Sequence, residues 1–446
     1  MLTKSRLFTE VRACLLLALP LAGAQLAQSA TTFADTVMMG LLGSQTLAAG
    51  ALGSALFATL LLITTGILTA VSPMVAQAFG AGNSDQVAQT TRHGLWLAVI
   101  LACLSTIVLW QGGSILGKLG QDPMNVQMAE SYLRWITVGA LPALVFAVLR
   151  NFMTALDRPR PVLVIALMGT IANVTGNYLL MFGKGGLPRM ELAGIGLSSA
   201  LSYWLMVGLT IAYILTDSTL RTYPVFRRLF QVHPTLFREL IHIGWPIGVL
   251  HGVEVGLFTA TTLLMGWLGT TTLAAHQIAL QTIAMTFMVP LGISLATTIR
   301  VGQLLGRDRA KDARLAGYVG IGLGSLFMGM MGVVFWFVPQ PIIALYVNIQ
   351  QPEYQPVVQM AAALLGVAAM FQIFDGIQVI AAGALRGLKD TRIPMLIGLF
   401  AYWGVGLSSG YTLGIWAGLG GTGLWWGLAF GLAISPSLDP PLRSKI

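Results

Sequence analysis

Three carboxylates of this chain stand where carboxylates are rare. Asp35, Glu254 and Asp375 fall well inside long apolar runs, whereas the other acids of the sixteen lie in loops or near the ends of such runs. An ionisable group in a stretch long enough to cross a bilayer is costly, and by default it marks an ion path or a binding site. No Lys or Arg shares the interior of the runs holding Glu254 and Asp375. A carboxylate without a partner in an apolar setting favours its protonated form. Such a group is neutral when it carries a proton and negative when a cation has to be held. Asn173 and Asn177 are spaced i, i+4, so both amides share one helix face. Their carbonyl oxygens suit a cation and their N–H groups suit a carboxylate. The ion that this chemistry would couple is H+ or Na+, with Na+ placed at Glu254 and Asp375 or at Asp35 and Asn177. No other cofactor is implied. The plainer use of all these groups is hydrogen bonding between helices.

The elements that must position these groups are membrane helices. The chain is 56% hydrophobic and 9% charged, with a mean hydropathy of +0.78, where a soluble domain carries about 25% charged residues. Apolar runs of spanning length, about 20 residues or more, fall near 11–40, 47–78, 93–112, 128–150, 161–183 and 192–216 in the first half. In the second half they fall near 243–267, 272–299, 315–338, 357–385, 393–414 and 416–434. The expected fold is therefore all-α, a polytopic membrane protein of twelve transmembrane helices, since a barrel would alternate its residues. The one sizeable polar stretch divides the chain into an N-terminal six-helix lobe (1–216), a linker (217–240) and a C-terminal six-helix lobe (241–446). The Lys4–Arg6 start and the apolar run after it imitate a signal peptide, but the run continues past signal length, so no cleavage is expected. Cys14 and Cys103 lie in different runs, which argues against a disulfide framework. The last run reads as short. Gly418 to Gly423 looks like a loop and Ser435-Pro436 like a stop. A helix of Leu424–Ile434 would be about 16 Å long, against a core of about 30 Å.

Charge sets the topology. With the start of the chain cytoplasmic, 21 of the 25 basic residues fall on that side, among them Lys4, Arg228, Arg443 and Lys445. Only Lys118, Arg134, Lys184 and Arg189 do not. The positive-inside rule then makes both termini cytoplasmic, and the net charge of +9 is a topology signal, so no nucleic-acid partner is expected. The two halves also repeat at an offset of 226. Pro20 matches Pro246, Met39 to Gly43 resembles Met265 to Gly269, and Thr46-Leu-Ala-Ala49 is identical to Thr272-Leu-Ala-Ala275. Repeats of six crossings keep one orientation, so the lobes should be parallel and pseudo-symmetric, with a site between them. Gln28 occupies the repeat position of Glu254, and His251 precedes Glu254 by one turn. Both are candidates to line a cavity, as is Phe371, one turn before Asp375. His276, at the outer start of its helix, reads as interfacial. Pro20, Pro246 and Pro290 are expected to kink their helices.

Phe33-Ala-Asp-Thr-Val-Met-Met-Gly40, Pro73 to Gly82, Asn173-Val-Thr-Gly-Asn-Tyr178, Trp245 to Glu254 and Ala384-Leu-Arg-Gly387 occur in order along nearly the whole chain. Together they resemble the NorM branch of the MATE (multidrug and toxic compound extrusion) transporters. The resemblance implies a cation-coupled antiporter that exports amphiphilic organic cations from bacteria. It would sit in the inner membrane as a multi-pass protein and is expected to be a monomer. In that family, acids matching Asp35, Glu254 and Asp375, and asparagines matching Asn173 and Asn177, are associated with cation coupling and drug binding. Phe371 departs from relatives that carry a tyrosine implicated in sodium binding. Relatives also continue the last helix, so this chain looks truncated there. The main rival is a lipid-linked precursor flippase or polysaccharide exporter on a related scaffold. A flippase would need a cationic cavity for pyrophosphate head groups, whereas the mid-run ionisable groups here are acids and a histidine. Gly320-Ile-Gly322-Leu-Gly324 lies inside an apolar run and reads as packing, not as a nucleotide loop. The chain carries no P-loop lysine motif and no HExxH, so no enzyme is expected.

Overall fold

The computed structural model describes residues 4–227, 231 and 233–438. Arg228, Arg443 and Lys445, counted above with the basic loop residues, lie outside them. Among the described residues the chain is all-α, without a strand, and eleven helical stretches are long and apolar enough to cross a membrane. In the first half they are α1 (Lys4–Leu41), α2 (Ser44–Leu68) with α3 (Val71–Gly80), α4 (Ser84–Trp110), and α6 (Pro123–Ile136) with α7 (Ala140–Ala155). The short α5 (Gly112–Lys118) precedes α6, and α8 (Pro159–Phe182) and α9 (Glu191–Thr216) complete the half. The second half holds α10 (Pro234–Trp267), α11 (Thr270–Gly306), α12 (Ala310–Phe337), the short α13 (Pro339–Ile343) and α14 (Gln355–Gly387). The eleventh stretch is α15 (Arg392–Leu399), which runs on through π-helical turns at Phe400–Leu407 and Thr412–Trp416 on either side of α16 (Ser408–Tyr411).

A twelfth helix, α17, covers Gly420–Leu438. Its 19 residues make about 28 Å at about 1.5 Å per residue, so the short final helix expected from sequence is wrong. The helix begins inside the glycine-rich segment and continues through Ser435-Pro436. The reason lies in packing. A Cβ on Gly427 would sit 2.1 Å from Gly410 Cα, and one on Gly431 2.6 Å from the Ala401 carbonyl oxygen. In lipid no water competes for the backbone, and small residues let helices touch along their main chains. These glycines are a seam, not a loop.

The other departures are local. The second apolar run breaks at Thr69–Ala70, where Asn151 Nδ2 donates to the Leu68 carbonyl at 3.1 Å. The polar stretch after α9 is strapped to its neighbours. Leu220 and Val225 are buried, Arg92 donates to the Arg227 carbonyl at 2.9 Å, and His93 Nε2 accepts the His233 N–H at 2.7 Å. Asp217 accepts the N–H groups of Thr219 and Leu220, both at 2.9 Å. The Leu220 N–H above all holds the Asp217 carboxyl below the usual carboxylate range. The repeat is visible in the backbone too. Gly43 and Gly269, 226 apart, open α2 and α11 with φ of 115° and 111°, a region that side chains avoid. Gly82 has φ 70°, and at its repeat position Asp308 takes φ 56°.

Packing divides the chain into two compact units, Gly23–Gly248 and Met1–Ala22 with Val249–Ile446. They are not the sequence repeats themselves. The breaks come two residues after Pro20 and two after Pro246. The core of the Gly23–Gly248 unit gathers Met38, Met39, Tyr132, Leu133, Ile136 and Met181. That of the other unit gathers Met265, Phe335, Leu364, Leu365 and Trp425.

Gly427→Ala should lower stability by roughly 1–3 kcal/mol through overpacking, read as a lower unfolding temperature in detergent. Gly322, with nothing within 4 Å of its would-be Cβ, should accept Ala within about 0.5 kcal/mol. Asp308→Gly should raise stability by about 1 kcal/mol by relieving the left-handed backbone. An unchanged melt for Gly427→Ala would refute the seam.

Candidate functional site

Asp35 lies on α1 at the level of α8 and α9, and both of these helices answer it. Asn177 Nδ2 donates to Asp35 Oδ1 at 2.5 Å, and Ser199 Oγ donates to Asp35 Oδ2 at 3.2 Å. Behind them, Asn173 Nδ2 donates to Ser199 Oγ at 2.8 Å, and Asn177 Nδ2 also reaches Asn173 Oδ1 at 3.3 Å. Asn173 and Asn177 are fully buried. The i, i+4 spacing on α8 thus puts both amides on the face that meets Asp35, and the donors run in one direction toward the carboxylate. Every one of these donors is neutral. Among the described residues no Lys, Arg or His forms an ion pair with Asp35. Asn177 Oδ1, beside it, is a buried acceptor with no partner. A half-buried carboxylate and a buried amide oxygen without a partner together are oxygen ligands that suit a proton or a small cation. Sequence reasoning missed Ser199. Its one signal was the pair Ser198-Ser199 inside an apolar run, since hydroxyls there hydrogen-bond across helices. Ser198 Oγ donates to the Asn173 carbonyl at 2.8 Å.

The faces of α1 and α8 next to this cradle are apolar. Phe33, Val37, Met38, Val174 and Tyr178 line an open cavity of about 610 Å³. Gln28 is exposed on α1, and its neighbours Thr32 and Thr36 are exposed with it, forming a polar stripe on that helix.

The Val249–Ile446 stretch holds the other two acids. His251 Nδ1 stands 3.7 Å from Glu254 Oε2 on α10, with the side chains 23% and 31% exposed. Asp375, on α14, is close enough to Glu254 for their charges to interact, and it has no hydrogen-bond partner among the described residues. Gln372 and Gln378 flank it on α14. Each is buried with one amide atom unpartnered, Nε2 and Oε1 respectively. Gln378 donates to the Tyr402 hydroxyl, and Trp403 Nε1 donates to the Val253 carbonyl at 3.0 Å. The π-helical turn that carries Tyr402 and Trp403 thus aims both at the helices bearing the acids, a common use of π-turns. Sequence gave no sign of that turn.

Phe371 is 5% exposed and packs on Trp425, with ring centroids 6.0 Å apart. One expectation needs correction. His276 is not interfacial. It is fully buried, Trp425 Nε1 donates to its Nδ1 at 3.0 Å, and Thr262 Oγ1 lies 3.0 Å from its Nε2. Because an indole N–H can only donate, the network assigns the hydrogen to Nε2 and leaves this histidine neutral.

The MatE family model matches the chain twice, over residues 20–179 and 246–412. The chain belongs to the MatE family. Its two matched segments begin at Pro20 and Pro246, the offset of 226 seen in the sequence. A probable multidrug resistance protein NorM of Synechococcus sp. is 44% identical over 96% of this chain and 92% of its own length. A protein of the same name from Pseudomonas aeruginosa is 43% identical over 95% of this chain and 87% of its own. Among solved structures, a Vibrio cholerae MATE transporter, VcmN, superposes with a TM-score of 0.90 at 14% identity, covering 99% of this chain and 98% of that one. The eukaryotic MATE transporter AtDTX14 gives 0.86 at 20% identity over 99% and 98%. The fold is therefore the two-lobe MATE fold, and the chain is a multi-pass membrane protein with NorM-type relatives.

Asn177→Leu should cost about 1–3 kcal/mol, because it strips the shortest donor from a half-buried carboxylate. Gln28→Leu, on an exposed position, should stay within about 0.5 kcal/mol. Melting curves of the two variants in detergent make the comparison, and equal losses would place Asp35 outside any such cradle.

Proposed function

We propose that this MATE-family protein is a secondary active multidrug efflux antiporter. It exports amphiphilic organic cations in exchange for H+ or Na+ moving inward. The observation that carries the reading is Asp35, a carboxylate held only by neutral donors, beside a buried amide oxygen with no partner. A charge left uncancelled by the chain is available to a cation from outside it. Glu254 and Asp375 offer the same chemistry in the second repeat. The apolar cavity beside Asp35 suits the hydrophobic part of an amphiphile, and NorM-named relatives point the same way. The protein works in the bacterial inner membrane with both termini cytoplasmic, as a monomer, and is not an enzyme. The lipid-linked precursor reading is disfavoured, since these acids would repel a pyrophosphate.

The mechanism is competition. At an effective dielectric near 20, a guest cation about 4 Å from a carboxylate gains about 4 kcal/mol, part of which desolvation cancels. Inward-moving H+ or Na+ takes the same oxygens and releases the guest. One monovalent ion descending about 100 mV supplies about 2.3 kcal/mol. At about 1.4 kcal/mol per decade, that sustains a drug gradient of roughly forty-fold.

Asp35→Asn, Glu254→Gln and Asp375→Asn should each abolish gradient-driven ethidium efflux from vesicles while leaving the protein in the membrane. Neutral amphiphiles should be poor substrates of the unaltered protein. Wild-type efflux by any of the three variants would make that acid structural.

A further inference from the structure

The most buried ion pair among the described residues lies outside this chemistry. Arg300 Nε donates to Glu10 Oε1 and Arg300 Nη2 to Glu10 Oε2, both at 2.8 Å, a two-pronged contact between α1 and α11. The side chains are only 9% exposed for Glu10 and 15% for Arg300. Arg300 Nη1 also donates to Gln303 Oε1 at 3.2 Å, one turn along the same helix. The guanidinium is thus fixed from its own side, and α1 is the partner free to leave.

The rest of the contact is apolar and graded. On the face of α1 that carries Glu10, Cys14, Leu17, Ala18 and Leu21 are all buried, and Cys14 lies against Thr297 of α11. At the far end the backbones touch, since a Cβ on Gly292 would meet the Ala22 nitrogen at 2.6 Å. The seam is therefore closest at Ala22 and closes at its basic end with a charge pair.

A buried ion pair is a poor staple. The cost of drying two charges offsets most of their attraction, and apolar residues of the same shape would hold the helices as well. What distinguishes the pair is its dependence on staying dry, because exposed pairs in water are worth little. We propose that Glu10 and Arg300 form a latch. It holds the basic end of α1 against α11 while that end is dry, and it parts when water enters during the transport cycle. The inference rests on the transport reading given above.

Cys14, one turn from Glu10 and 2% exposed, is a built-in reporter. The full-length protein carrying Cys103→Ala leaves it as the single thiol. In vesicles, its rate of labelling by N-ethylmaleimide is followed at rest and during ethidium efflux driven by a pH or sodium gradient. The latch requires slow labelling at rest and a several-fold rise during turnover. Glu10→Gln and Arg300→Gln should label several-fold faster at rest, and the exchanged pair Glu10→Arg with Arg300→Glu should return to slow labelling. Efflux that proceeds with no change in Cys14 labelling overturns the latch and makes the pair a fixed staple. If the single variants do not reach the membrane, the turnover comparison still decides. Absence of efflux under both gradients would instead sink the transport reading.

Discussion

Inside a membrane every polar group must be answered by the protein, because water is not there to do it. Asp35 shows this most openly in the Gly23–Gly248 unit, and much of that unit can be understood as its answer. Asparagine and serine are short, so they bridge to a carboxylate only where helices run very close. Glycine makes that approach. A Cβ on Gly176 would sit 2.4 Å from Ser198 Oγ, and one on Gly194 2.9 Å from the Leu180 carbonyl carbon. Both positions bring α8 against α9. The close pair of helices then offers Asn173, Asn177 and Ser199 to one point on α1. Lengthening either glycine would push the donors away from the acid without touching it.

The repeat shows how specific that arrangement is. The two family matches start 226 apart and end 233 apart, at 179 and 412. At the corresponding offsets, Asp35 matches Thr261, while Asn173 and Asn177 match Gly406 and Gly410. Leu192, Gly194, Gly196 and Leu197 match Leu419, Gly421, Gly423 and Leu424 at 227, which puts Trp426 at the place of Ser199. No carboxylate or amide remains at these positions: the acid is replaced by a threonine, both asparagines by glycine and the serine by a tryptophan. Where α8 and α9 hold a hydrogen-bonded chain, the later helices hold backbone contacts, such as Gly427 on Gly410. The matching positions hold hydrogen-bond donors in one repeat and glycine contacts in the other. The acids of the second copy accordingly sit elsewhere, on Glu254 and Asp375. Glu254 falls on the repeat position of Gln28, not of Asp35.

What the sequence revealed and what it hid follow from the same physics. The helical runs, the repeat and the isolated acids were legible because hydrophobicity and charge are properties of single residues in a row. The partnership of Asp35 with Asn177 was legible because an i, i+4 pair of amides has one face. Ser199 was not, since a serine inside an apolar helix bonds its own backbone as readily as a neighbour; Ser202 Oγ does so, donating to the Ser198 carbonyl at 2.9 Å. The end of the chain misled because glycine breaks helices in water but joins them in lipid. His276 misled because Trp425, which covers it, is 149 residues away. The pairing of distant helices is what a linear reading lacks.

Burial does not separate the acids that hold the fold from those that hold an ion. Glu10 is 7% exposed, and yet it is closed to any further cation, because Arg300 already meets both its oxygens. Asp35, on the same helix, is held by dipoles alone and keeps its charge uncancelled. Glu254 lies between the two. Its neighbour His251 is a cation only when protonated, so the pair's balance depends on conditions that a guanidinium ignores. Asp375 has no donor of its own and shares its surroundings with Glu254. Ordered by partner, the four run from a permanent cation through a conditional one to neutral donors and to none. Along that order the local field left for a visiting cation grows, and so does the cost of leaving the site empty. A protein that must bind a cation and then let it go needs sites at the costly end of that scale, since a cancelled charge binds nothing and a fully satisfied one releases nothing.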